Sequence, residues 1–235
     1  MTQSRHLTRR CTVKLSLSSG LATLAADLHR EPDVERTCHG ILRHAQALTG
    51  ADGAAMIIKR GRRTVVISTS PTAEQADLLQ LEHREGPALS AMSHAGHIVV
   101  DDVSAEDRWM RWRDHVVDTG LRSALSFRIG TTTSAIGALD VYATRRGAFA
   151  ADTATVARLY AQHASVALAA AQHESGLRRA IDARQAIGQA QGILIERHSL
   201  DPDAAFAMLR NGARERKITL SEHARQIVAT HHSAA

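Results

Sequence analysis

Apolar residues recur every three to four positions at Leu21, Leu24, Ala25 and Leu28, then again after Pro32 at Val34, Cys38, Ile41, Leu42, Ala45 and Leu48. That spacing predicts two helices, the second stopped by Gly50. Two strand-like runs follow, Ala54–Ile58 and Thr64–Thr69, and the polar Lys59-Arg60-Gly61-Arg62 between them reads as the turn of a β-hairpin. From Pro71 to Ser93 the pattern turns helical and loop-like, punctuated by Gly86-Pro87. His97–Asp101 is a short apolar run, and Asp102–Val117 carries an acidic loop and a short amphipathic helix. Strands are expected at Ser123–Ile129 and Ile136–Ala143, joined through Gly130–Ser134. This order predicts an α+β unit with an antiparallel sheet, since strands and helices do not alternate as βαβ units.

After Phe149 the character changes. Asp152 is placed to cap a helix, and from Thr153 to His198 there is no proline, which predicts one long connecting helix over 153–198. Leu159, His163, Val166, Ala170, His173, Leu177 and Ala180 follow a 4-3 spacing, an Ala-rich heptad seam able to pair with a second copy. His163 and His173 would make such a seam sensitive to pH. The competing expectation is a helix that packs on its own sheet and breaks near Gly176. Two shorter helices then follow. Asp201 caps the first, with Pro202 at its first position, and Thr219 with Glu222 has capping-box spacing for the second. Ala205, Phe206, Leu209 and Ala213 form one apolar stripe, and Leu220, Ala224, Ile227 and Val228 another, so a compact three-helix bundle is expected from about Gly176 onward.

Composition narrows the chemistry. Of 235 residues only 3% are aromatic, which disfavours aromatic stacking platforms for single-stranded nucleic acid. The net charge of +5 is unevenly spread. Residues 1–37 hold 6 basic and 4 acidic side chains, residues 38–175 hold 14 and 14, and residues 176–235 hold 9 and 6. The long middle is therefore neutral and the rear basic, mostly through arginine. Arg210 and Arg214 stand at i, i+4, with Arg216 and Lys217 just beyond and Arg184 and Arg197 on the preceding helix. Arginine forks suit phosphates and splayed bases of folded RNA. Cys11 and Cys38 supply neither a disulfide framework nor a metal site, and the 14 histidines show no recognised ligand spacing. There is no nucleophile elbow, phosphate-binding loop or dinucleotide fingerprint, so an enzyme is not expected. No apolar run is long enough to span a membrane and no signal-like segment opens the chain, so the reading is a soluble cytoplasmic protein.

The segment from Arg184 to Arg197, RQAIGQAQGILIER, is followed by Ala204-Ala-Phe206-Ala-Met-Leu209-Arg210 and Leu220-Ser-Glu-His-Ala224. Residues 176–235 thereby resemble the ANTAR family of three-helix RNA-binding modules in transcription antitermination regulators. The resemblance implies binding of paired hairpins in leader transcripts, with Arg184, Gln189, Gln191, Arg197, Arg210, Arg214, Arg216 and Lys217 as the RNA-binding residues. Ala190 and Gly192 are expected to let helices approach closely. Gln191 stands where the family usually has lysine, Lys217 where asparagine is common, and His223 where an aliphatic residue is common.

Residues 21–171 resemble a GAF sensory domain, after a flexible tail over 1–20. The motifs are Glu85-Gly86-Pro87, Asp101 through Trp109, Gly120 through Arg128, and Gly137 through Tyr142. The pairing is similar to GAF-ANTAR proteins of actinobacterial type. Ala88 occupies a position often held by cysteine, which removes an obvious thiol sensor. The sheet face and the Asp101–Trp112 loop are expected to frame a small-molecule pocket, with Trp109, Trp112, Phe127 and Tyr142 as ligand-binding candidates. No cofactor is required. The chain thus reads as a homodimeric, signal-responsive RNA-binding regulator, its input a small molecule or an upstream signalling protein. The alternative is a sensor whose bundle is a protein-interaction or dimerisation module.

Overall fold

A computed structural model describes residues 34–234 except 62, 95, 132 and 133. The tail over 1–20, the helical pattern at Leu21–Leu28 and Cys11 lie outside the described residues. The chain divides at Gln172/His173 into two compact units.

In the front unit, helix α1 (Val34–Thr49) leads into strands β1 (Gly53–Arg60) and β2 (Arg63–Ser68). Arg60 pairs with Arg63, leaving a two-residue turn in which Gly61 takes φ +62°, a conformation such hairpin turns need and glycine adopts without a steric cost. Helices α2 (Pro71–His83) and α3 (Pro87–Ser93) come next, followed by β3 (His97–Val100), a 3₁₀ turn (Val103–Ala105) and α4 (Met110–Val116). Strands β4 (Ser123–Gly130) and β5 (Ala135–Ala143) complete a five-stranded sheet of order β2-β1-β5-β4-β3, antiparallel at every pairing. The expected α+β class and hairpins are present.

Side-chain alternation gives the sheet two buried faces. Met56, Ile58, Leu125, Phe127, Ile129, Leu139 and Val141 point to one side, against Cys38, Ile41, Leu42 and Ala45 of α1. The same face receives the start of α5 (Ala151–His198) through Ala154, Ala157, Tyr160, Ala161, Ala164 and Leu168. Alanines let this helix lie close to the strands, and Tyr160 donates its hydroxyl to the Ile41 carbonyl at 3.1 Å, tying α5 to α1. The opposite face carries Ala55, Ile57, Ala124, Ala138 and Tyr142, covered by α2, α3 and α4.

Helix α5 shows no interruption at Gly176. It begins at Ala151, so Asp152 lies in its first turn and complements the helix dipole without capping it. From His173 onward it supplies the first helix of the rear unit, with α6 (Pro202–Glu215) and α7 (Leu220–Ala234). Asp201 Oδ1 accepts from Ala204 N at 2.8 Å and Thr219 Oγ1 from Glu222 N at 3.2 Å, the capping geometry their spacing predicts. Ala186, Ala190 and Leu194 meet Ala205, Leu209 and Ala224 in a small apolar core.

Candidate functional site

The covering layer of the front unit is held together by polar contacts to single side chains. Glu85, in the loop between α2 and α3, accepts from the backbone N–H groups of Arg111 at 2.7 Å and Trp112 at 3.1 Å, satisfying orphan donors at the start of α4. Gly86 holds φ +141°, and a Cβ there would fall 2.3 Å from Gln80 Oε1, so the loop closes only with glycine. Trp112 is fully buried and donates its indole N–H to the Ala76 carbonyl of α2 at 3.1 Å. Trp109 donates to Ser90 Oγ of α3, also at 3.1 Å. The two indoles meet edge to face with centroids 6.2 Å apart. Trp109 precedes α4 as its cap residue, so the two tryptophans do not share a helical face despite their spacing of three. Outside the layer, Arg108 stacks 4.3 Å over Trp109 and forks onto Glu106 at 2.6 and 2.7 Å, which holds the Glu106 carboxyl below its ordinary range.

Beneath the layer lies a buried polar cluster. Asp77 and Gln80 descend from α2 and Tyr142 and Asp140 rise from β5, while Ser126 of β4 stands opposite Asp140 in register; all five are fully buried. Tyr142 donates its hydroxyl to Asp77 Oδ1 at 2.5 Å. Gln80 Nε2 donates to the same carboxylate oxygen at 3.1 Å and to the Tyr142 oxygen at 3.0 Å. Gln80 Oε1 in turn accepts from Ala88 N at 2.7 Å, linking α3 to the cluster. Burial pushes the Asp77 carboxyl up to about 7, against the hydrogen bonds that favour its charge. Burial and the neighbouring Asp77 push Asp140 well above the usual range. Tyr142 is raised by burial as well.

In the rear unit the stripe Ala205, Leu209 and Ala213 faces the core of the bundle, and the adjacent stripe Phe206, Arg210 and Arg214 faces outward. Phe206 is 38% exposed and Met208 42% exposed. Phe206 does not join the expected apolar stripe: it follows Ala205 by one residue, roughly 100° round the helix, and leaves the core. Gly192 is also exposed, with open space where a Cβ would stand, so Ala190 alone makes the close helix contact. The tight approach lies elsewhere. The imidazole of His223 is buried against Gly212, where a Cβ would come 2.5 Å from His223 Nε2.

Residues 31–169 match the family model of the GAF domain. The chain belongs to the GAF domain family. Residues 175–228 match the ANTAR domain, so a GAF domain is followed by an ANTAR domain. No curated protein matches the chain in sequence. Among solved structures it is similar to the GAF domain of a phosphoenolpyruvate-protein phosphotransferase from Coxiella burnetii, with 15% identity, TM-score 0.53, and 69% of this chain and 98% of that one covered. It is also similar to the phytochrome photosensory core module of Stigmatella aurantiaca, with 12% identity, TM-score 0.54, and 84% of this chain and 44% of that one covered. A third is the free methionine-R-sulfoxide reductase of Neisseria meningitidis, a structure in complex with its substrate, with 14% identity, TM-score 0.50, and 67% and 91% covered. Identities this low show the fold alone.

The four ligand candidates of the GAF domain do not converge on one site. Trp109, Trp112 and Tyr142 share the face under α2–α4, whereas Phe127 lies on the opposite face against α1 and α5. Sequence reading missed Asp77, Gln80, Ser126 and Asp140. Their signal was parity: Ala138, Asp140 and Tyr142 alternate on one face of an otherwise apolar strand, and Asp77 and Gln80 follow Ala73 and Ala76 on α2.

The ANTAR candidates divide likewise. Arg184, Gln189, Arg197, Arg210, Arg214, Arg216 and Lys217 are all exposed. Arg184 and Arg197 stand thirteen positions apart on one helix, roughly 220° around its axis, and so face different sides. Gln191 is half-buried and donates its amide to the Pro202 carbonyl at 2.7 Å, a structural tie between α5 and the start of α6. Arg216 donates to Gln226 Oε1 at 3.2 Å, and Lys217 takes a left-handed φ of 54° where α6 ends. Among the described residues no helix is long and apolar enough to cross a membrane, and no cluster of three or more His, Cys, Asp or Glu is placed to hold a metal.

Proposed function

We propose that this protein is a signal-responsive transcription antitermination regulator, in which the GAF domain senses a ligand or state and the ANTAR bundle binds paired RNA hairpins in leader transcripts. The observation that carries the reading is the outward stripe Phe206–Arg210–Arg214. It offers one aromatic face for a splayed base and two planar guanidinium forks for the flanking phosphates along one helix. Arg184, Gln189, Arg197, Arg216 and Lys217 extend the basic surface. The structure of the Neisseria reductase in complex with its substrate supports a small-molecule input to a fold of this kind.

The protein acts as a homodimer through α5. Leu159, His163, Val166, Ala170, His173, Leu177 and Ala180 are all exposed, and Val166 is 71% exposed. This supports the seam, because the 4-3 stripe is left uncovered by the chain's own sheet. Two copies would present two bundles to a two-hairpin target, and a signal that alters the pairing or rotation of α5 would change RNA binding.

The test is sequencing of RNA crosslinked to the full chain and to an Arg210→Ala/Arg214→Ala variant. Paired hairpins enriched by the wild type and lost in the variant support the reading; no enrichment of paired hairpins overturns it. A second reading makes the bundle a protein-interaction module, favoured by the exposed Phe206 and Met208. Salt separates the two. RNA binding weakens steeply with salt, and the double variant flattens the log–log slope by about 1.5 for two lost phosphate contacts, whereas an apolar interface is insensitive.

A further inference from the structure

We propose that the interior of the GAF domain between α2 and β5 binds a slender organic cation, through a primary ammonium or amidinium group seated on Asp77, Asp140 and Ser126. The proposal deepens the sensor half of the reading above and rests on it.

The cluster is rich in acceptors and poor in donors. Asp77 Oδ2 and both carboxylate oxygens of Asp140 have no hydrogen-bond partner, although both residues are fully buried. Ser126 Oγ, opposite Asp140 on the neighbouring strand, is buried as well and close enough to favour the Asp140 charge, but makes no well-formed hydrogen bond. The two nearby donors, the Tyr142 hydroxyl and Gln80 Nε2, both converge on Asp77 Oδ1. Among the described residues no ion pair includes Asp77 or Asp140. Buried acceptors left unmatched are costly, and a buried carboxylate pair is stable only with a shared proton or an added positive charge.

These groups select the ligand by chemistry. An anionic ligand meets two carboxylates, with the Ser126 hydroxyl as the one donor beside Asp140 that is not already committed. A divalent ion asks for six or more oxygens, and the cluster offers two carboxylates and two hydroxyls with no third acidic or histidine ligand. An ammonium or amidinium group brings a positive charge and two or three N–H donors, enough to replace the shared proton and satisfy the unmatched oxygens. Ala55, Ala73, Ala76, Ala88 and Ala138 surround the cluster with small apolar side chains, which favours a slender aliphatic stem over a broad aromatic ring.

Binding would be felt across the covering layer. Gln80 joins Asp77 to α3 through Ala88 N, Trp112 joins α2 to α4, and Trp109 joins α4 to α3. The ionisable groups facing the site are Asp77 from α2 and Asp140 and Tyr142 from β5. Arg128 of β4 lies further along the same face, donating to the Met92 and Thr131 carbonyls; α3 has no ionisable side chain, and β1 faces the site with Ala55 and Ile57. Since the cation displaces the shared proton, binding releases a proton, and affinity rises with pH between about 6 and 8.

The experiment is calorimetry and thermal melting of the full chain with n-butylamine, 1,4-diaminobutane and agmatine as probes, and 1-butanol, Mg2+ and Ca2+ as comparators at matched ionic strength. The expected result is saturable binding of at least one amine that raises Tm. Its heat should vary with the ionisation enthalpy of the buffer, as proton release requires. Affinity should fall at least about tenfold in the near-isosteric Asp140→Asn and severalfold in Ser126→Ala. The proposal is overturned if no amine binds saturably, if Mg2+ or Ca2+ raises Tm as much as the amines, or if Asp140→Asn binds as wild type does. These measurements contain no RNA, so their failure leaves the crosslinking result standing, and the reverse holds as well.

Discussion

Strand β5 faces two different interiors. Leu139, Val141 and Ala143 point to a side where α1 and α5 bring apolar residues, and the tyrosine hydroxyl there reaches a backbone carbonyl. Ala138, Asp140 and Tyr142, one residue out of phase on the same strand, point to a side where α2 brings a second carboxylate. On the first face stability comes from area removed from water and tight contact, which hardly vary with pH. On the second it depends on who supplies the proton or positive charge between two acids. One sheet therefore carries a scaffold face and a conditional face, and in a sensor the conditional face is the one able to report.

The largest effect belongs to the scaffold face. Leu125→Ala removes a fully buried side chain between β4 and the α1–α5 layer, and should cost about 2–5 kcal/mol in urea unfolding. The loss should be the same at pH 5 and pH 8. A strongly pH-dependent loss would mean that the two faces are not energetically separate.

An intermediate effect belongs to the conditional face. Asp77 and Asp140 are both raised from the usual 3.8, Asp77 to about 7. Above about pH 4 the folded chain then holds more protons than the unfolded chain, so stability falls as pH rises through about 7. The full chain should lose roughly 3 kcal/mol of unfolding free energy between about pH 5 and pH 8 from Asp77 alone, at about 1.4 kcal/mol per pH unit up to its pKa. Asp140→Asn should flatten the slope and raise Tm at the higher pH. A profile as steep in the variant as in the wild type would place the titration elsewhere.

This contrast explains what could be read from the chain. The scaffold face was legible, because apolar periodicity and turn chemistry locate α1, the hairpin and the long helix, and the expected start at Thr153 differs from the observed Ala151 by a fraction of a turn. The heptad stripe was legible as well, since periodicity does not depend on what covers it. The conditional face was not, because one Asp in a strand and one Asp in a helix sixty-three positions earlier gain meaning only when folding sets them together. Phe206 was misplaced for a related reason. On a short helix, residues one position apart both look apolar-spaced, and the small bundle has room for the Ala205–Leu209 stripe alone.

The smallest effect tests the cluster at a single atom. Tyr142→Phe keeps the ring and its packing but removes the hydroxyl that donates to Asp77 Oδ1 at 2.5 Å and accepts from Gln80 at 3.0 Å. No cavity opens, so the change isolates a hydrogen bond that favours the ionised carboxyl. At pH 8, where Asp77 is charged, the variant should lose about 1 kcal/mol in urea unfolding, and at pH 5, where the carboxyl is protonated, clearly less. The missing donor also raises Asp77 further, so the fall of stability with rising pH should run on to a higher pH than in the wild type. Equal losses at the two pH values would show that the hydroxyl contributes to packing alone and that Asp77 keeps one charge state across the range.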